Sequence, residues 1–484
     1  MKRVTSNTGK KTPGVDGMLW KSARANMQAV CRLRQHGYRT QPLRRVYIRK
    51  KSGKLRPLSI PTLFDRSMQA LYTLALSPVA ETTADRNSYG FREGRSCADA
   101  VAAAFHALSK PNSATWIWEA DISGCFDNIS QSWILANIPI ETRILTQWLD
   151  AGYVEDGIAS PTRKGTPQGG IISPTIMNMT LDGLEQAVRC AVPRRVRVNV
   201  IRYADDFIVT AKSRRLLEEH IIPAVTRFLA ARGLTLSEEK SQIVSIREGF
   251  TFLGQTFRKH GNTLHITPSK EGVLALVRNV GTLIREYVGA PVAALIQKLN
   301  QMLRGWANYH RHVVASEAFR RVDSSVYEQL WRMLRRRHPD KSKGWLIRQY
   351  WLAAGKKWRC SVRQTRKGKT KIYQLLRVSS LGIKRHINIK ADANPYMAEY
   401  ARYFADRRRS KKARKMRALS ARAMRNAKRS HCRVVPSEQP FEMLEPYEAN
   451  VSRTVLRGEG GRKAPALPGQ QRRRAIPENF WTPT

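Results

Sequence analysis

Three aspartates are the residues whose spacing could do chemistry. Asp205 and Asp206 stand side by side in Tyr203-Ala204-Asp205-Asp206, between two runs of strand-forming residues, 196–202 and 207–210. Alternating and β-branched residues favour strands. The Ala-Asp pair is therefore expected at the tip of a tight hairpin, pushing acid side chains into a cleft. A third carboxylate, Asp121, ends the run Trp116-Ile117-Trp118-Glu119-Ala120, with a Ser123-Gly124 turn after it. A strand-end acid beside that hairpin would put three like charges at one point. They can share a small volume only if divalent cations neutralise them. Mg2+ prefers oxygen ligands and bridges to substrate phosphates. Two such ions clamp the attacking and leaving oxygens of an in-line displacement. The expected chemistry is nucleotidyl transfer, with two Mg2+ ions held by Asp121, Asp205 and Asp206. A lone strand-end Asp is more often a turn or cap residue, so the reading rests on the three together. Asp127 is left outside the metal set, as a cap for the turn that follows it.

Other residues could serve the same reaction. Gly165-Thr166-Pro167-Gln168-Gly169-Gly170 lies between the acids. Its paired glycines allow close backbone approach to a ligand, and Gln168 offers both a donor and an acceptor to a base edge or sugar. Lys54, Arg56 and Arg66 are cations that could hold a triphosphate while charge develops on its leaving group. Lys240, after Gly233-Leu234-Thr235-Leu236-Ser237, is a candidate general acid for the leaving pyrophosphate. Each has a plainer reading, as an ordinary loop or as surface charge.

The elements that must position these residues are legible in outline. At 484 residues and 42% hydrophobic, the chain has material for two to four domains and a sizeable core. Its 86 Lys+Arg against 37 Asp+Glu, a net charge of +49, call for a polyanionic partner. The six cysteines are scattered without metal-ligand spacing, so neither a disulfide framework nor a zinc site is readable, and a reducing compartment fits. No apolar run is long enough to span a membrane, and the N-terminus lacks the apolar stretch of a signal peptide. A cytoplasmic, nucleic-acid-associated protein is expected. Helices are expected over 64–80, 98–108 and 175–187. Strands and helices mix through 115–260, and long helical patterns dominate from about Ser269. Thirteen basic residues and one acid lie between Arg402 and Arg429, ahead of a Pro-, Gly- and Arg-rich tail.

The order of these strings resembles the group II intron-encoded reverse transcriptase/maturases over roughly residues 1–405. Carrying the resemblance are Thr12-Pro13-Gly14-Val15-Asp16-Gly17, Arg56-Pro57-Leu58-Ser59-Ile60-Pro61, Asn87-Ser88-Tyr89-Gly90-Phe91-Arg92, Asp121-Ile122-Ser123-Gly124-Cys125-Phe126-Asp127, the Gln168 loop, the Asp205-Asp206 hairpin and Phe252-Leu253-Gly254. It implies that Phe126 is the gate under the incoming sugar, excluding a 2′-OH. It also implies that Gln168 lies near the templating pair and that Lys54, Arg56 and Arg66 hold the dNTP triphosphate. Leu303-Arg304-Gly305-Trp306-Ala307-Asn308-Tyr309-His310 looks like the maturase-specific thumb, or domain X. There Arg304, Trp306, Tyr309, Arg335, Arg336 and Arg337 would contact RNA, although Trp306 and Tyr309 also suit the buried face of a helix. Arg407, Arg408, Arg409, Lys411 and Lys412 would contact DNA.

The fold class expected is α+β, a right-hand polymerase. Fingers are placed at 1–85, palm with remaining finger elements at 86–268 and helical thumb/domain X at 269–365. A basic DNA-binding segment follows at 366–430, then a poorly ordered tail at 431–484. Relatives usually carry several tens of residues ahead of the Thr12 string, so a shortened N-terminus is expected. Many end in an HNH endonuclease with paired Cys and His, for which this tail has only His431 and Cys432, so no second-strand cleavage is expected. The function expected is RNA-directed DNA polymerase and intron maturase, with intron RNA, target DNA and dNTPs as partners and a homodimer left open. Two alternatives stay open: an RNA-binding splicing cofactor with a silent polymerase, and a reverse transcriptase of another retroelement.

Overall fold

The computed structural model describes residues 2–410 apart from 7, 50–52, 54, 163, 355–356 and 367–368. The expectations for Lys54, Lys411, Lys412 and the 431–484 tail fall outside these residues. Short helices α1 (Lys2–Thr5) and α2 (Ala23–Arg32) precede hairpin β1 (Leu43–Arg49) and β2 (Leu55–Ile60). Helix α3 (Leu63–Thr83) follows, longer than the expected 64–80. It begins where the Thr62 hydroxyl accepts the Asp65 N–H at 3.1 Å, satisfying one of the unpaired donors of a first turn.

Helix α4 (Cys97–Leu108) leads to β3 (Trp116–Asp121), then α5 (Cys125–Asn128), α6 (Gln131–Asn137) and α7 (Thr142–Leu149). Hairpin β4 (Tyr153–Glu155) and β5 (Ile158–Ser160) returns to the first sheet, in the order β2-β1-β4-β5 with β4 parallel to β1. The helix expected over 175–187 is two helices, α8 (Ser173–Leu181) and α9 (Leu184–Cys190). The break falls at Asp182-Gly183. Gly183 has φ +91, and the Asp182 carboxylate accepts from Arg202 at 2.6 Å. A left-handed position cannot continue a right-handed helix.

Strands β6 (Asn199–Tyr203), β7 (Asp206–Ala211) and β8 (Gln242–Ser245) join β3 in an antiparallel sheet ordered β6-β7-β3-β8, with α10 (Arg214–Leu216) and α11 (Ile222–Ala230) before β8. Residues 196–198, expected as strand, lie outside β6. Side chains alternate faces along a strand. Trp118, Ala120, Phe207 and Val209 enter one buried core, with Trp118 and Phe207 meeting edge to face at 5.6 Å. Ile117, Ile201 and Ile208 enter the other.

That second core runs into the C-terminal half. Strands β9 (Phe250–Phe252), β10 (Gln255–His260) and β11 (Thr263–Pro268) form a small sheet. Leu253-Gly254 makes its first turn, both at positive φ. Helices α12 (Lys270–Glu286), α13 (Val292–His310), α14 (Ser316–Arg337) and α15 (Lys343–Tyr350) follow. The helical pattern then gives way to an unexpected antiparallel sheet, β12 (Trp351–Ala354), β13 (Lys357–Arg366) and β14 (Lys369–Gln374). Its second hairpin crosses the boundary expected at 365–366.

Residues 384–407 return to α4. Asp99 is fully buried there and accepts from Ser96 Oγ at 2.6 Å, His386 Nε2 at 2.8 Å and Ile389 N at 2.8 Å, with Arg407 at 3.5 Å. Burial raises this carboxyl, but the hydrogen bonds from His386 and Ser96 outweigh burial and hold it below the usual range. Asp99→Ala should lower stability by roughly 3 kcal/mol and expose 375–410 to protease. Denaturant unfolding with limited proteolysis checks this; an unchanged midpoint and digestion pattern would contradict it.

Candidate active site

The two strands of the acidic motif close on the shortest loop available. Tyr203 pairs with Asp206, leaving Ala204-Asp205 as a two-residue turn. Ala204 is buried at φ +60, a position that ordinarily takes Gly. What holds it there is a close neighbour. Residues 87–89 run beside β6, with Tyr89 N–H to Arg202 O and Arg202 N–H to Asn87 O both at 2.9 Å. This brings Gly90 against the turn, where an added Cβ would lie 2.3 Å from Ala204 N. Only glycine permits that approach. Arg202, just before the motif, is 1% exposed and pairs with Asp182 at 2.6 Å and Asn178 at 3.2 Å. Sequence reasoning gave it no role; the signal was a charged residue set between Ile201 and Tyr203, immediately before the acidic hairpin.

Asp121 stands opposite Asp206 in the β3–β7 ladder. Directly paired residues share a face, with Cβ atoms about 5 Å apart. Asp205 adds the third carboxyl from the turn. Burial first, then Asp121, raises Asp205. Burial, then the Asp205 charge, then a hydrogen bond and the charge of Asp121 push Asp206 up to about 7, although the residue as a whole is exposed. Residues 235–237 extend the sheet beside the end of β3, with Ser237 N–H to Asp121 O at 2.8 Å. Lys240 follows and its ammonium pairs with Asp121, which raises the lysine. One ammonium faces three carboxyls, an excess of negative charge that suits a hard divalent cation. Among the described residues no group of three or more His, Cys, Asp or Glu side chains, these three acids included, is gathered closely enough to hold a metal ion as it stands.

On the other side of the cleft, Gln168 joins two elements. Its Oε1 accepts from Arg56 Nε at 2.9 Å and its Nε2 donates to Asp127 Oδ2 at 2.7 Å. Its carbonyl accepts from Ser59 N at 2.7 Å, and Thr166 N donates to Phe126 O at 2.7 Å. Phe126 is half-buried against the core. Arg56, Phe126 and Gln168 are thus brought together, whereas Arg66 is not. Its guanidinium is buried and donates to Pro61 O at 2.9 Å, Gly9 O at 2.9 Å and Thr12 O at 2.7 Å. It fastens the N-terminal segment to α3, which corrects its assignment to a triphosphate.

The expected nucleic-acid contacts divide the same way. Arg304, Arg335, Arg336, Arg408 and Arg409 are exposed. Arg337 instead donates to Ala290 O at 2.8 Å, and Arg407 to Asn388 O at 3.1 Å and Asp99, so both are spent within the fold. Trp306 is half-buried, 4.5 Å from His310 and 5.8 Å from Phe319 between ring centroids. The Tyr309 ring keeps an exposed face, while its hydroxyl donates to Leu253 O at 2.9 Å and anchors α13 on the β9–β10 turn.

The chain matches two family models: reverse transcriptase (RNA-dependent DNA polymerase) over residues 48–257, and the group II intron maturase-specific domain over 273–351. It is 30% identical to Protein YkfC of Escherichia coli over 295 residues, 52% of this chain and 77% of that protein. It is 36% identical to the group II intron-encoded protein LtrA of Lactococcus lactis over 195 residues, 38% of this chain and 32% of LtrA. An uncharacterized 91 kDa protein in the cob intron of Schizosaccharomyces pombe is 24% identical over 398 residues, 64% of this chain and 49% of that one. The match thus spans about a third of LtrA and about half of the cob intron protein.

The acidic pair has a pH signature. A carboxyl raised to about 7 in the fold, against about 4 when unfolded, binds its proton more tightly when folded. Its contribution therefore falls as pH rises from about 4 to about 7. Without divalent metal, Asp206→Asn should melt above wild type at pH 7–8, with the gap closing towards pH 4. Thermal unfolding across that range checks this; a gap independent of pH would contradict it.

Proposed function

This chain belongs to the group II intron-encoded reverse transcriptase/maturase family, and from that premise we propose that it copies RNA into DNA at Asp121, Asp205 and Asp206 and binds a group II intron RNA to support its splicing. The observation that carries the polymerase reading is the Asp121–Asp206 cross-strand pair with Asp205 in the adjoining turn. A protein that only bound RNA would gain nothing from three crowded carboxyls. These acids would hold two divalent cations, Mg2+ by the hardness of their oxygens, and bound cations would neutralise phosphate charge around the in-line displacement.

The chain's own side chains have distinct parts in this reading. Lys240, kept protonated by Asp121, is placed to give a proton to the leaving pyrophosphate. Arg56 and Gln168 orient the incoming dNTP, and Phe126 packs below its sugar and excludes a 2′-OH. Residues 1–85 serve as fingers, 86–268 as palm and the helices from 269 as thumb and domain X, with the basic segment after the β13–β14 hairpin binding DNA. Arg304, Arg335 and Arg336 follow the intron RNA backbone, while Arg408 and Arg409 lie on the segment that meets target DNA. Among the described residues no helix is long and apolar enough to cross a membrane.

Primer extension on an RNA template with Mg2+ and dNTPs tests the proposal. Wild type should extend. Asp205→Ala should fall at least about a hundredfold, the scale of losing one group that stabilises transition-state charge, while its salt-dependent RNA binding stays within about twofold. Equal extension by Asp205→Ala would overturn the site. Wild type that binds RNA but never extends would favour the splicing cofactor with a silent polymerase.

A further inference from the structure

We propose that Asp127 is a positioning residue for nucleotide binding, acting through Gln168; the inference rests on the polymerase reading above. A glutamine amide at a nucleotide site has a defect. Its oxygen and nitrogen ends are nearly equal in shape but opposite in hydrogen-bonding sense. Unless both ends are committed, the group can turn over or swing, and each bound nucleotide must then order it. Here both ends are committed. Arg56 has only donors, so it fixes the oxygen end, and the Asp127 Oδ2 that faces the amide accepts, so it fixes the nitrogen end. The amide thereby spans the cleft from β2 to α5 in one orientation.

The backbone under Asp127 is built to hold this geometry. Asp127 N donates to Gly124 O at 2.8 Å, and Gly124 itself is left-handed at φ +49. Gly165, at φ +76, lies so close that a Cβ there would sit 2.4 Å from Phe126 O and 2.5 Å from the Asp127 carbonyl carbon. On the far side, a Cβ on Gly169 would sit 2.6 Å from Ser59 O. The loop carrying Gln168 is therefore clamped between β2 and the Phe126-Asp127 backbone. Asp127 and Phe126 are consecutive, so a pull on one is felt by the other. Asp127 then influences two quantities: affinity for the incoming nucleotide and discrimination against a ribose. It is exposed and its carboxylate meets Gln168 rather than the Asp205 turn, which separates it from the acids that carry the chemistry.

Steady-state single-nucleotide addition, with dNTP and then rNTP, tests this in Asp127→Ala, Asp127→Asn and Gln168→Ala singly and in combination. Asp127→Ala should raise KM for dNTP roughly tenfold, as expected for losing a charge-assisted hydrogen bond, while kcat changes by less than about threefold. Its preference for dNTP over rNTP should fall. Asp127→Asn keeps a carbonyl that can accept from Gln168 and should recover most of the affinity. In a Gln168→Ala background, Asp127→Ala should add nothing, because the group it acts through is gone. The inference is overturned if Asp127→Ala matches wild type, or if its effect persists in full without Gln168. It is also overturned if kcat collapses while KM holds, the mark of a residue that serves the chemistry directly. Wild type that adds no nucleotide would defeat the polymerase reading itself, and this inference with it, before any variant is compared.

Discussion

Two carboxylates on adjacent strands, directly opposite one another, repel. Asp121 and Asp206 stand in that relation, and the two-residue turn adds Asp205 beside them. Like charges paired across a sheet are destabilising, and Asp205 and Asp206 are both made harder to ionise, by burial first. The fold therefore has to hold open an arrangement that its own electrostatics oppose. Lys240 relieves part of the repulsion by pairing with Asp121, but one ammonium cannot balance three acids. What remains is an excess of negative charge at the end of the sheet, the feature on which the proposed cation site rests.

The rest of the right-hand polymerase fold supplies the force that keeps the acids together. Strand β7 is buried on both faces, its Phe207 and Val209 in one core and its Ile208 in the other. Moving Asp206 away from Asp121 would shift a strand packed on both sides, and interiors packed to crystal-like density resist that. The turn is pinned separately by the Gly90 backbone and by Arg202, whose buried partner Asp182 stands at the end of α8. The second core continues into α12–α15, so the maturase-specific helices and the sheet that carries the acids share one apolar interior. Asp99 then fastens the returning chain to α4, and Tyr309 fastens α13 to the β9–β10 turn.

How much of this could be read from the sequence follows a physical divide. The hairpin, the strand ending in Asp121 and the helix over 98–108 depend on local alternation and turn chemistry, and these are written in neighbouring residues. Partners distant in the chain are not. Arg66, Arg337 and Arg407 read as cations free for phosphate, yet each satisfies backbone carbonyls far away in sequence. A charge is visible in a sequence, but what it pairs with is decided by tertiary packing. The same holds for β12–β14, which interrupt the long helical patterns expected from Ser269 onwards, whereas the break at Asp182-Gly183 follows from a left-handed glycine that local periodicity passed over. Asp127 was legible only as a cap, because its partner Gln168 lies in another loop.

The most direct measurement of the central constraint is proton release when Mg2+ is added to metal-free protein in weakly buffered solution at pH 7. Burial and the neighbouring acids push Asp206 up to about 7, which leaves part of it protonated before the cation arrives. Cation binding should expel that fraction of a proton, and Asp206→Asn should abolish the release. No release from the wild-type protein, or the same release from Asp206→Asn, would contradict the view that crowded carboxyls awaiting a cation are what this fold is built around.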